Sequence, residues 1–125
     1  LLLPIVGFIE GDDPRMVSTI DRVHKELSVR NGLLLRYTAP DGLPGREGAF
    51  LPASFWLVDA LVFAGKKDLA KKHFENLAKV ANHAGLYAEE VHPKSLEFLG
   101  NFPQAYSHIG LINSAFYLAL GERVV

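Results

Sequence analysis

Residues 50–64, FLPASFWLVDALVFA, carry a single charge, Asp59. A helix that is apolar on every side needs neighbours on every side. Residues 103–120, PQAYSHIGLINSAFYLAL, repeat the character, and the two segments end at Gly65 and Gly121, residues suited to a helix C-terminus. Two such helices cannot enclose one another in 125 residues. The expectation is therefore a sector of a larger helical structure, or a chain that oligomerises. The opening LLLPIVGFI points the same way. It lacks an initiator Met and a basic flank, and it is far shorter than the roughly 20 apolar residues of a membrane span. It reads as the tail of an element that begins upstream.

Between the apolar segments lie amphipathic ones. Gly11-Asp12-Asp13-Pro14 is a helix start, with Asp as N-cap and Pro in the first turn. Met16, Ile20, Val23 and Leu27 then recur at helical spacing, which predicts a helix over about 13–28, stopped by Asn31-Gly32. Residues 66–82 predict another. Leu69, Phe74, Leu77, Ala78 and Val80 face inward there, and Lys66, Lys67, Lys71, Lys72, Glu75 and Lys79 face water. Two long loops complete the order, 31–49 with turn signals at Pro40, Asp41-Gly42 and Pro44-Gly45, and 85–102. A long loop inside a compact domain usually serves function.

The order is thus amphipathic helix, long loop, buried helix, and then the same again. A shift of 53 residues lays Gly32 on Gly85, Arg36 on Glu89, Pro40 on Pro93 and Leu43 on Leu96. With a one-residue slip, Phe50 falls on Phe102. An internal repeat of this size indicates a modular array. It places both long loops at the N-terminal ends of the buried helices, with Arg36 and Glu89 on one rim.

Thirteen basic residues against fourteen acidic ones leave no electrostatic footprint for nucleic acid or an anionic membrane. No cysteine is present, so disulfides and thiolate metal sites are excluded. No serine elbow or glycine-rich phosphate loop occurs. What remains is Glu89-Glu90. Two adjacent loop carboxylates are ordinarily just solvated. Here they follow the largely apolar Gly85-Leu86-Tyr87-Ala88 and share a rim with Arg36, a setting in which a carboxylate serves as acid or base. Glu89, Glu90 and His92 make only a weak metal-ligand set. His108 reads as a hydrogen-bonded core histidine, and Trp56 as core unless it faces the rim.

Leu99-Gly100-Asn101-Phe102-Pro103-Gln104-Ala105-Tyr106-Ser107-His108, preceded by Leu86-Tyr87-Ala88-Glu89-Glu90, resembles the C-terminal part of glycoside hydrolase family 15. That family holds the glucoamylases, the glucodextranases and the trehalases of bacteria and archaea. Glu47-Gly48-Ala49-Phe50-Leu51, Ser54-Phe55-Trp56-Leu57-Val58-Asp59-Ala60-Leu61 and the opening Leu1-Leu2-Leu3-Pro4 strengthen the likeness, which extends over essentially the whole chain.

The resemblance implies an all-α fold, about two outer/inner helix pairs of an (α/α)6 barrel, with residues 1–125 as the C-terminal portion of the catalytic domain. It implies inverting exo-hydrolysis of an α-glucoside, trehalose or an α-glucan oligosaccharide, by two carboxyl groups and without a cofactor. Ala88-Glu89-Glu90 matches the family's base motif, so Glu89 carries over as general base and Glu90 as its hydrogen-bonding supporter. Glu90 stands where the glucoamylases proper have Gln, which leans toward the trehalase-like branch. Arg36-Tyr37 matches the pair that binds the terminal glucose. The family's general acid comes from a Trp-Glu segment, but Trp56 is followed by Leu57. The acid is therefore expected from outside this chain, and the 125 residues alone are expected to be inactive. The competing readings are a helical-repeat binding module without chemistry and an inactive remnant. The expected partners are the glucoside, the rest of the same domain or further copies of the chain, and neither nucleic acid nor membrane. The compartment is not fixed, with the cytoplasm as the default expectation.

Overall fold

Helix α2 (Leu51–Phe63) is the centre of the structure, a computed structural model that describes residues 1–40, 42, 44–45 and 47–121. Leu51, Phe55, Leu57, Val58 and Ala60 are completely buried, as the unbroken apolar run requires. Burying each of the larger side chains is worth about 1.5–3 kcal/mol. α2 packs against α1 (Pro14–Leu27), α3 (Lys67–Ala78) and α4 (Ala105–Leu120). Gly65, at φ 73°, turns the chain from α2 into α3. Lys66 Nζ meets Asp21 at 2.6 Å and ties that turn to α1.

α1 starts as its sequence predicts. Asp13 caps it by accepting from the Arg15 N–H at 2.9 Å, and Pro14 occupies the first turn. Its stop is different. The helix ends at Leu27, and Ser28–Arg30 (β1) pairs antiparallel with Leu33–Leu34 (β2). Asn31 and Gly32, at φ 50° and 87°, form the hairpin turn and not a helix cap. Positive φ at both central residues is the geometry that Asn-Gly favours in two-residue hairpins. α3 ends at Ala78, short of the expected 82, and its buried face is Ala70, His73 and Leu77. Ala78, expected inside, is exposed, and His73 is buried in the crevice that Gly32 leaves open. A Cβ on Gly32 would come 2.3 Å from His73 Nδ1.

α4 begins at Ala105, capped by the Gln104 side chain, and ends on Gly121 at φ 75°. It packs on α2 through small residues. A Cβ on Gly110 would lie 2.8 Å from Phe55 Cβ, and Ser114 Oγ reaches the Phe55 carbonyl at 3.2 Å and also the Asp59 carboxyl. Phe63 packs against Tyr117. The contacts advance together along both helices, so α2 and α4 run parallel. The expectation that α4 is buried all round fails for the chain by itself. Tyr106, Ile109, Ile112, Phe116 and Leu120 are all more than half exposed, on the side away from α2.

The fold is mostly helical, with four helices and two small sheets among the described residues. The sheets modify the all-α expectation. β3 (Ala49–Phe50), β4 (Glu90–Val91) and β5 (Phe98–Leu99) form an antiparallel sheet in the order β3-β4-β5, with Phe50 opposite Glu90 and Glu90 opposite Leu99. This sheet joins the two long loops at the N-terminal ends of α2 and α4, as the repeat predicts. Asp41 and Leu43, a turn signal and one member of the repeat, lie outside the described residues. No helix among the described residues is long and apolar enough to cross a membrane.

Candidate active site

The 83–104 loop is clamped along its length. Asn82 Oδ1 accepts from the Ala84 and Leu86 N–H groups, both at 2.9 Å, and Gly85 turns at φ 76°. Tyr87 N–H donates to His108 Nε2 at 3.2 Å, and Ser107 Oγ donates to the Ala88 carbonyl at 2.7 Å. His108 is thus hydrogen-bonded as expected, though half-buried and not in the core, and it ties the loop to the first turn of α4. Glu89 is fixed through its backbone on both sides. Its N–H donates to the Asn101 carbonyl at 2.9 Å, and its carbonyl accepts from Leu51 N–H at 3.0 Å. The first residue of α2 and the second residue after β5 therefore hold Glu89 between them.

The two carboxylates diverge from this strand. Glu89 turns toward the 100–101 segment. Asn101 N–H and Asn101 Nδ2 donate to its Oε2, at 3.2 and 2.9 Å. Gly100 lies beneath, at φ 71°, and a Cβ there would come 2.9 Å from the same oxygen. Glu90 turns the other way. Gly48 N–H donates to its Oε2 at 3.1 Å, and a Cβ on Gly48 would come 2.9 Å from that atom. A glycine thus stands against each carboxylate, where any side chain would displace it.

Arg36 and Tyr37 reach the same rim. Arg36 Nε and Nη2 donate to Glu47 Oε1 at 2.9 and 2.6 Å, and Nη2 lies 3.9 Å from Glu90 Oε1. Its guanidinium sits over the Tyr37 and Phe50 rings, 5.0 and 5.3 Å from their centroids, with Nη2 3.4 Å from the Tyr37 hydroxyl. The structure therefore groups Arg36, Tyr37 and Glu90, with Glu89 on the neighbouring side of the strand. Arg36 is engaged by Glu47 and Glu90, whereas Glu89, its mate in the repeat, is held by Asn101. Trp56, expected as core, is half-buried and meets Phe50 edge-on at 6.1 Å.

The electrostatics distinguish the groups. Burial, then the Glu47 carboxylate beside it, push the Glu90 carboxyl above its ordinary value, against the opposing pull of Gly48 N–H and Arg36. Glu47 holds the Arg36 guanidinium more firmly protonated than usual. In the sequence Glu47 stands out only as part of the family resemblance. No periodic signal marks it, because its partner lies 11 residues away along an irregular loop. His92, the third member of the weak metal set, turns to Ser95, whose N–H donates to its Nδ1 at 3.1 Å. Among the described residues, no three His, Asp or Glu side chains are grouped to hold a metal ion.

Comparison with known proteins gives one consistent picture. The profile of the glycosyl hydrolases family 15 matches residues 1–116. A trehalase of Thermoplasma volcanium is 46% identical over 115 residues, covering 92% of this chain and 18% of that protein. A trehalase of Mycobacterium tuberculosis is 44% identical over 126 residues, covering 98% and 18%. Trehalase 2 of Sulfolobus acidocaldarius is 32% identical over 114 residues, covering 91% and 20%. The chain spans about a fifth of the length of these relatives. No solved structure matches it significantly.

Proposed function

This chain belongs to glycosyl hydrolase family 15, and from that premise we propose that it forms the base-bearing sector of an inverting α-glucosidase acting on trehalose. The observation that carries the proposal is the asymmetry of Glu89. Asn101 fixes Oε2 from two donors, and among the described residues Oε1 receives no hydrogen bond. A carboxylate held by one oxygen and open at the other is oriented to take a proton from water. In the inverting mechanism that water attacks the anomeric carbon as a carboxylic acid on the opposite face protonates the leaving oxygen, the two groups lying roughly 6.5–9.5 Å apart. The general acid comes from outside these residues. Arg36 and Tyr37 supply donors for the hydroxyls of the terminal glucose, with Glu90 beside them.

In this reading α2 and α4 are neighbouring inner helices of an (α/α)6 barrel, and α1 and α3 belong to its outer ring. The uncovered apolar face of α4 is where further helices of the same barrel pack. Trehalose is favoured over an α-glucan because the relatives at 44–46% identity are named trehalases. The test uses a family-length protein containing this chain, with trehalose and maltooligosaccharides as alternatives. Proton NMR at early times reads the anomer released. β-Glucose from trehalose, ahead of mutarotation, is expected. Release of α-glucose alone, or hydrolysis confined to maltooligosaccharides, overturns the reading.

A further inference from the structure

We propose that His108 is a positioning residue for the Glu89 base: its unprotonated Nε2 holds the backbone of Tyr87, and so ties the aim of Glu89 to the state of one imidazole. The assignment starts from a donor that has no choice. Tyr87 N–H lies 3.2 Å from His108 Nε2, and a backbone N–H can only donate. Nε2 therefore offers its lone pair, and the single proton of the neutral ring sits on Nδ1. A second proton on the ring would set N–H against N–H and turn the tie into a repulsion.

Tyr87 matters because Glu89 follows it by two residues on one tightly fastened strand. The Tyr87 carbonyl accepts from Gln104 N–H at 2.9 Å, and the Ala88 carbonyl from Ser107 Oγ at 2.7 Å. Glu89 N–H donates to the Asn101 carbonyl at 2.9 Å. Each of the three residues is thus anchored to the stretch from Asn101 to His108. Tyr87 is 2% exposed, and Ala88 and Ser107 are fully buried, so water does not readily replace a lost tie. Asn101, Gln104 and Ser107 do not titrate. His108 is the anchor whose bond depends on pH, since imidazole takes up a proton at mildly acid pH.

The ring is held in place for this task. His108 N–H donates to the Gln104 carbonyl at 3.3 Å, and the Tyr87 ring stands edge-on to the imidazole at 5.5 Å. The Tyr87 hydroxyl, pushed above its ordinary value by burial, stays neutral. The charged groups on the packed helices lie elsewhere. Asp59 of α2 meets α4 at Ser114, and Lys67, Asp68, Lys71 and Glu75 of α3 flank a groove with Ala115, Leu118 and Ala119. All of these lie toward the C-terminal half of α4. Among the described residues no carboxylate is paired with the His108 ring. The tie itself is independent of substrate, whereas its effect on turnover rests on the glucosidase reading above.

The experiment uses the family-length protein. Nitrogen-15 NMR of histidine- and tyrosine-labelled protein, with the His108 signal assigned through His108→Gln, reads which ring nitrogen carries the proton. The Nδ1–H form is expected at neutral pH, and the Tyr87 amide signal is expected to move as the imidazole titrates. The second arm follows kcat for trehalose across pH. His108→Gln offers an acceptor that does not titrate, so kcat is expected within about threefold of the wild type at neutral pH, with its acid decline displaced to lower pH. His108→Phe keeps a ring against Tyr87 but removes the acceptor. There kcat is expected to fall about tenfold or more at neutral pH with KM little changed, and the gap to the wild type is expected to close toward acid. An Nε2–H ring, a Tyr87 amide indifferent to the titration, or a His108→Gln profile superimposable on the wild type overturns the proposal. If His108→Phe does not fold, the His108→Gln profile decides. Hydrolysis confined to maltooligosaccharides sinks the substrate reading, and the same profiles taken with them then decide on His108.

Discussion

Among the described residues, both hydrogen bonds that the Glu89 side chain receives come from Asn101 and land on one oxygen, Oε2, at 3.2 Å from the backbone N–H and 2.9 Å from Nδ2. The same two residues are joined through the main chain, where Glu89 N–H donates to the Asn101 carbonyl at 2.9 Å. Asn101 thus sets the rotation of the candidate base and, with Leu51, its position.

Removing one of these donors is expected to cost orientation more than binding. In a family-length protein, Asn101→Ala is expected to lower kcat for trehalose about 10- to 100-fold with little change in KM, since a small misplacement of a reacting group costs about that much. Steady-state kinetics check it. A rise in KM at unchanged kcat would assign Asn101 to binding and not to positioning.

The α2–α4 seam makes a stability prediction. Gly110 sits against Phe55 with no room for a Cβ, which would lie 2.8 Å from Phe55 Cβ. Ala gains about 1 kcal/mol of helix propensity over Gly, whereas overpacking costs about 1–3 kcal/mol. The clash wins, because a Cβ is fixed to the backbone and cannot swing aside. Gly110→Ala is expected to lower the melting temperature, and Gly110→Val to lower it further. A raised melting temperature in both would show that the seam opens freely.

Asp59 predicts a loss of stability toward high pH. It is fully buried on α2, Oδ2 has no partner among the described residues, and burial pushes its carboxyl up to about 7, against the weaker pull of Ser114. Protonated, it can donate to Ser114 Oγ while that hydroxyl donates to the Phe55 carbonyl. The folded pKa is above the unfolded value, so the folded state holds its proton more tightly. Stability is then full below about pH 4 and declines as pH rises through about 7, by on the order of 4 kcal/mol at most. Asp59→Asn is expected to remove that decline in thermal melts taken across pH.

His73 slopes the opposite way. Both ring nitrogens are buried without hydrogen-bond partners among the described residues, and the ring meets His24 edge-on at 5.1 Å. Burial, then the charges of His24 and Lys72, hold its pKa below 6.5. The unfolded chain therefore takes up the proton first as pH falls. Stability is present above about pH 6.5 and is lost toward acid. Leucine leaves no polar atom stranded there, so His73→Leu is expected to flatten the acid loss without lowering stability at neutral pH. An unchanged acid slope in melting experiments would place the titrating group elsewhere.

These residues also mark what the sequence could convey. α2 is legible because an unbroken apolar run closed by Gly65 has one solution, a helix buried on all sides. α1 is legible because Met16, Ile20, Val23 and Leu27 keep one face and Asp13-Pro14 starts it. The sheets are not, because strands of two or three residues carry no alternation. Asn31-Gly32 has two local meanings, helix stop and hairpin turn, and only the pairing of Ser28–Arg30 with Leu33–Leu34 decides between them. Ala78 reads as inward-facing because it is apolar, whereas the packed face follows Ala70, His73 and Leu77 and finds room for an imidazole beside Gly32. At the site, Glu89 and Glu90 are adjacent and could be seen together. The bond from Arg36 to Glu47 depends on how an irregular loop folds back, and no spacing announces it.

The central claim is that Glu89 is the base of an inverting glucosidase, and the most direct measurement is kcat for trehalose in a family-length protein carrying Glu89→Gln. The amide fits the same space but cannot take the proton from water. A fall of about 10²- to 10⁴-fold with KM nearly unchanged is predicted, the usual span for loss of a general base. Activity within about threefold of the unmodified protein would contradict it, since an effect that small is under 1 kcal/mol.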